Sequence, residues 1–200
     1  MKIKICGIFR DVDIDYVNEA GPDYIGFVFA PSRREVSLLK ADRLHRRLAE
    51  GITAVGVFVN ERIESIITLY KNGIISMAQL HGNEDEAYIL RLKEKSGGVP
   101  VPVIKVIKSE EIERETVTAA ADYCLIDSGA GSGQPFNWEL LNSFKIEKPW
   151  FLAGGINLNN IKQAMALNPF AVDISSGAET NGIKDREKIL QLTAMAREES

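Results

Sequence analysis

Lys4-Ile5-Cys6-Gly7 places a thiol at the exit of the first apolar run of the chain. Far downstream, Gly154-Gly155 and Ser175-Ser176-Gly177 each follow another short apolar run. Glycines let backbone N–H groups approach an anion, and serine hydroxyls add donors. Two such turns at successive strand ends are the arrangement with which barrel enzymes hold phosphate. The competing reading is a pair of tight strand-to-helix turns with no ligand; their occurrence together favours phosphate. Gly129 to Gly133 (Gly-Ala-Gly-Ser-Gly) is a third anion-friendly loop or, equally, a linker.

Acid–base groups lie at other strand exits. A buried cysteine is usually an inert small hydrophobe, and Cys124, inside an apolar run, is read that way. Cys6 differs because it sits at a rim beside Gly7, and a neighbouring anion site implies positive potential that lowers a thiol pKa. Asp127 follows Leu125-Ile126. Partial desolvation there would raise its pKa and suit it to donate a proton; a helix cap or solvated acid is the plain alternative. Arg33 and Arg34 follow Pro31-Ser32, and either could fork onto a carboxylate. His81 could contact substrate or cap a loop, whereas His45 lies in a charged stretch. Two histidines and no clustered ligands leave no expected catalytic metal. Lys4 shares strand parity with Cys6, and Asp173 with Ser175, so an inward Lys4–Asp173 ion pair is expected beneath the site.

These groups require a scaffold that presents strand ends together. Eight apolar, β-branched-rich runs recur: Ile3 to Cys6, Tyr24 to Phe29, Ala54 to Val59, Met77 to Leu80, Val101 to Ile107, Tyr123 to Ile126, Trp150 to Ala153 and Ala171 to Ile174. They read as strands buried on both faces. Helical periodicity is clearest over Leu39 to Leu48, Ile63 to Tyr70, Glu84 to Lys95 and Asn160 to Leu167. A last helix runs over Asp185 to Arg197, with Asp185 as its cap. Ser109 to Ala121 and Trp138 to Phe144 are thin. Strand then helix, eight times, implies an α/β fold, a single (β/α)8 TIM barrel with some short or missing helices, occupying residues 1–200 as one domain. An open doubly wound sheet is the second choice.

Composition narrows the function. The net charge is −4, and no basic stripe points to nucleic acid. No apolar run approaches the ~20 residues of a membrane span, and the start Met1-Lys2-Ile3-Lys4 lacks a signal peptide's apolar core. Two distant cysteines make no disulfide framework. A cytoplasmic enzyme acting on a phosphorylated small molecule is expected, as a monomer or homodimer.

Taken in order, several motifs resemble the phosphoribosylanthranilate isomerase family of tryptophan biosynthesis. They are Lys4-Ile5-Cys6-Gly7, Tyr24 to Phe29, Ser32 to Ser37, Val55 to Asn60, Gln79-Leu80-His81-Gly82, Leu125 to Ser128, Gly154 to Asn157, Val172 to Glu179 and Gly182 to Asp185. The resemblance implies an Amadori rearrangement of N-(5'-phosphoribosyl)anthranilate to 1-(2-carboxyphenylamino)-1-deoxyribulose 5-phosphate, with no cofactor. It implies Asp127 as general acid, Cys6 as thiolate base, and Arg34 as the partner of the anthranilate carboxylate. His81 and Asp173 fall in the substrate pocket, and Gly154, Gly155, Ser175, Ser176 and Gly177 at the phosphate. Phe9, Glu35 and Asn137 depart from the family pattern. The alternatives are the related sugar isomerase of histidine biosynthesis, which resembles two half-barrels and uses a carboxylate at the end of strand one, a non-catalytic phosphate-binding barrel, and a flavin-binding barrel.

Overall fold

The apolar runs form eight strands: β1 (Lys2–Cys6), β2 (Tyr24–Val28), β3 (Thr53–Phe58), β4 (Met77–Leu80), β5 (Val103–Lys108), β6 (Tyr123–Asp127), β7 (Trp150–Ala153) and β8 (Ala171–Ile174). They pair in chain order, and β8 pairs with β1 to close a parallel barrel. The closed barrel, and not the open sheet, is therefore the architecture. The computed structural model describes residues 1–108, 119–128 and 147–198. The loop Gly129 to Gly133, Asn137, the thin helix Trp138 to Phe144 and all but the end of Ser109 to Ala121 lie outside the described residues. Among the described residues no helix is long and apolar enough to cross a membrane.

Six α-helices pack around the described part of the barrel: α1 (Asp11–Ala20), α2 (Leu38–His45), α3 (Ile63–Lys71), α4 (Glu86–Ser96), α5 (Ile161–Ala166) and α6 (Arg186–Glu198). Their starts follow local chemistry. Ser37 Oγ accepts from the Lys40 N–H at 3.3 Å and Asp85 Oδ1 from that of Tyr88 at 2.7 Å. Asp185 caps α6 as expected, accepting from the Lys188 N–H at 3.2 Å; such caps satisfy otherwise orphaned helix N–H groups. Helix α1 was not evident in the sequence, because its Asp11, Asp13 and Asp15 mask the apolar stripe. Asp13 is buried and accepts from the backbone N–H groups of Phe9 and Arg10. Helix α2 stops three residues short of Leu48. Its continuation tightens into bonds from Arg47 N–H to Leu44 O and Leu48 N–H to His45 O, the three-residue spacing of a fraying terminus.

Strand β1 decides the interior. Ile3 and Ile5 face the helices in the outer core, so Lys2, Lys4 and Cys6 point inward. At the floor, Tyr24, Tyr123, Phe151 and Phe170 form edge-on and tilted pairs with ring centroids 5.3 to 5.9 Å apart, and Lys2 Nζ lies 4.9 Å from the Phe170 ring centre. Polarity then rises along the axis to the mouth formed by the C-terminal strand ends.

Beyond β8 comes a single 3-10 turn, Ser176–Ala178, and a two-stranded hairpin, β9 (Glu179–Thr180) with β10 (Ile183–Lys184). Asn181 and Gly182 link them with φ of 50° and 79°. Positive φ at both central positions is the tight hairpin turn that Asn-Gly favours.

Candidate active site

Cys6 ends β1 opposite Gly26 of β2. A β-carbon at residue 26 would lie 2.7 Å from the Cys6 sulfur, so the glycine makes room for the inward thiol. One pleat below, Lys4 Nζ donates to Asp173 Oδ1 at 2.9 Å, with both side chains buried. The expected ion pair is thus present, and strand register sets Lys4 beside Asp173. Burial works against the Lys4 ammonium, but Asp173 and Cys6 outweigh it and its pKa is raised.

The thiol departs from expectation. Burial pushes the Cys6 pKa up, and the lowering pull of Lys4 and Lys184 does not overcome it; Asp173 adds to the rise. The positive charge beside Cys6 comes from these two lysines and not from the anion site, and desolvation is larger. Cys124 is a core residue facing away from the interior, and burial holds its thiol at about 11.

Asp127 ends β6, half-buried. His81 Nε2 lies 3.5 Å from Asp127 Oδ2, and Gln79 Nε2 lies 3.3 Å from His81 Nδ1. Gln79 Oε1 is buried and makes no hydrogen bond to the described protein, which leaves an acceptor for a bound molecule. Gln79 escaped the sequence reading, although its two-residue offset from His81 puts both on one strand face.

Cys6, Asp127, His81, Gln79, Asp173 and Arg34 all line one cavity of about 530 Å³ at the mouth. Gly154, Gly155, Ser175 and Ser176 complete it on one side. Gly177 does not line it. A β-carbon there would collide with the Ile156 carbonyl oxygen, so Gly177 lets the two late turns pack together.

Those turns are held in a particular direction. Asn157 Nδ2 and Asn160 Nδ2 donate to the Gly155 carbonyl at 2.9 and 3.1 Å. Lys184 Nζ donates to the Ser175 carbonyl at 2.9 Å. In a trans peptide the N–H points opposite to the C=O, so the N–H groups of Ile156 and Ser176 are turned away from these clamps. Gly154 and Gly155 adopt φ of 99° and 66°, which favours glycine, and a β-carbon at Gly154 would strike Ser128 Oγ. Asn157, Asn160 and Lys184 were not recognised beforehand as shaping this side.

The choice between the two arginines is resolved by place. The Arg33 side chain is 59% exposed, whereas that of Arg34 is 19% exposed and lines the cavity. The Arg34 stem lies where a β-carbon of Gly7 would be. Phe9 and Glu35 lie outside the cavity lining, and Glu35 is exposed.

The sequence profile of N-(5'-phosphoribosyl)anthranilate (PRA) isomerase matches residues 3–194. The chain belongs to this isomerase family. The N-(5'-phosphoribosyl)anthranilate isomerase of Endomicrobium trichonymphae is 45% identical, over 98% of each chain. Among solved structures, the phosphoribosyl anthranilate isomerase of Thermotoga maritima superposes with a TM-score of 0.85 at 32% identity, covering 99% of each chain. A phosphoribosyl anthranilate isomerase in complex with reduced 1-(o-carboxyphenylamino)-1-deoxyribulose 5-phosphate superposes with a TM-score of 0.83, also at 32% identity and 99% of each chain. Membership makes the chain an isomerase of tryptophan biosynthesis and sets aside the histidine-pathway, binding-only and flavin alternatives.

Proposed function

We propose that the cavity carries out the Amadori rearrangement of N-(5'-phosphoribosyl)anthranilate with Asp127 as general acid and Cys6 as general base. Asp127 gives a proton to the ribose ring oxygen as the C1–O bond breaks, and the anilino nitrogen supplies electrons to form a protonated Schiff base. Cys6, as thiolate, removes the proton from C2, and those electrons neutralise the iminium to an enolamine. Loss of the C2 hydroxyl proton and protonation at C1 give the ketone.

The single observation that supports this reading most is the meeting of Cys6 and Asp127 on one cavity whose rim is formed by the Gly154–Gly155 and Ser175–Ser176 turns. Lys4 and Lys184 supply positive charge that favours the thiolate, offsetting part of the cost of burying it. The turned N–H groups of Ile156 and Ser176 suit a phosphate, and Arg34 suits the ring carboxylate.

The test is turnover. Substrate is generated in situ from anthranilate and phosphoribosyl pyrophosphate with a transferase, and its fluorescence is followed after addition of the protein. Fast loss of signal in the wild type, and none beyond spontaneous decay in both Cys6→Ser and Asp127→Asn, is expected. A folded wild type that leaves spontaneous decay unchanged would sink the assignment.

A further inference from the structure

Glu179 has no role in the chemistry above, yet it is drawn into the wall beside Arg34 and surrounded by cations. Its side chain is 3% exposed. Arg34 Nε donates to Glu179 Oε1 at 2.6 Å and Arg34 Nη2 to Oε2 at 2.8 Å. Arg33 Nη2 donates to Oε2 at 2.9 Å, and Lys184 Nζ to Oε1 at 2.8 Å. Burial alone would raise this carboxyl, but Arg34 and Lys184 hold it down at about 2. The β9–β10 hairpin brings Glu179 and Lys184 side by side, and Gly182 leaves space for the Arg33 guanidinium, which a β-carbon there would approach to 2.6 Å.

A guanidinium presents two forks, one from Nε and Nη2 and one from Nη1 and Nη2. Glu179 occupies the first. Among the described residues no hydrogen bond engages Arg34 Nη1, and Arg34 lines the cavity. The stem cannot swing freely, because it rests on the Gly7 backbone beside Cys6. Fork and stem together fix both the position and the plane of the guanidinium.

We propose that Glu179 is a positioning residue for carboxylate recognition: by gripping the Nε–Nη2 fork it presents the Nη1 end of Arg34 to the ring carboxylate of the substrate. This rests on the reading of Arg34 as that carboxylate's partner. Three cations around one carboxylate leave a local charge of 3 − 1 = +2, so the clamp orients Arg34 without cancelling the attraction for an anion. Arg33 anchors the same carboxylate from outside the cavity.

The experiment compares two competitive inhibitors, the reduced product analogue bearing the ring carboxylate and its counterpart lacking that group, against wild type, Glu179→Gln, Arg33→Ala and Arg34→Ala. Glu179→Gln is expected to weaken the carboxylate-bearing inhibitor roughly 10-fold, the scale of one well-placed charge-assisted bond. The carboxylate-free inhibitor should stay within about twofold, since it makes no such bond. KM should rise more than kcat falls. Arg33→Ala, which leaves the Arg34 fork intact but removes one cation from the cluster, should weaken the carboxylate-bearing inhibitor by clearly less than Glu179→Gln does. Equal weakening of both inhibitors by Glu179→Gln, or no weakening of either, would overturn the positioning role. So would an Arg33→Ala effect equal to that of Glu179→Gln, because loop anchoring would then be what Glu179 supplies. If Arg34→Ala discriminates between the inhibitors and Glu179→Gln does not, only this proposal falls. If Arg34→Ala does not discriminate, the reading of Arg34 falls with it. Should Glu179→Gln fail to fold, Glu179→Asp, which keeps the charge but withdraws it by one methylene, carries the same expectations.

Discussion

His81 Nε2 stands 3.5 Å from Asp127 Oδ2. That separation exceeds the usual N–H···O range, so the imidazole borders the carboxyl without tying it down. Such a loose neighbour suits the acid role proposed for Asp127.

Asp127→Asn is therefore expected to lower kcat by at least ~100-fold, the usual scale for losing general acid help. Cys6→Ser should fall as far, because a hydroxyl is a much poorer base than a thiolate. His81→Ala should cost less, about 10-fold or below, in keeping with the long contact. Steady-state rates decide this; a nearly active Asp127→Asn would remove it from the acid role.

The raised pKa of Cys6 predicts its reactivity. In the free enzyme, alkylation of Cys6 by iodoacetamide should accelerate with pH through a midpoint above the ~8.5 of a free thiol, because burial outweighs the lysines. Peptide mass analysis separates Cys6 from Cys124. A midpoint below that of a free thiol would show that Lys4 and Lys184 prevail.

Lys4 has a side chain with no solvent exposure. Asp173→Asn would leave its charge without a counterion, and breaking one side of a buried pair typically costs about 3–5 kcal/mol. Urea unfolding measures this. A loss under about 1 kcal/mol, the scale of an exposed pair, would mean that solvent reaches the ammonium.

Glu179 makes stability depend on acid. Its folded pKa of about 2 lies below the reference value of 4.5, so the unfolded chain takes up this proton first. The stabilisation is complete above the unfolded pKa and is lost as pH falls toward 2. The urea midpoint of the wild type should drop across that window more steeply than that of Glu179→Gln. Parallel curves for the two proteins would contradict the depressed carboxyl.

Much of the barrel was legible in the chain because parallel strands buried on both faces must be almost wholly apolar. Runs β4, β7 and β8 coincide with the expected ones residue for residue. Strand β5 begins at Val103 and not Val101, because Pro102 has no N–H to give to a ladder. The cavity positions of Cys6, Asp127 and His81 were recognisable from strand exits, and that of Arg34, over Arg33, only by the family resemblance. Glu179 was not, since its partners Arg33 and Arg34 lie 146 and 145 positions away. The Asn181-Gly182 pair was the available local sign of the hairpin that carries it. The direction of the Cys6 shift was out of reach, because the depth of burial that decides it depends on the closed barrel.

The Lys4–Asp173 contact joins residues 169 positions apart, and it crosses the seam where the last strand zips onto the first. Until that seam closes, an ammonium destined for the interior has no counterion there. A chain emerging from the ribosome without β8 gains little by burying β1 early, since an unpaired interior charge is heavily penalised. Long-range closure of this kind is slow, and here it is also the step that seats the charge beneath Cys6. The charge beneath Cys6 is thus in place only once β8 has joined β1.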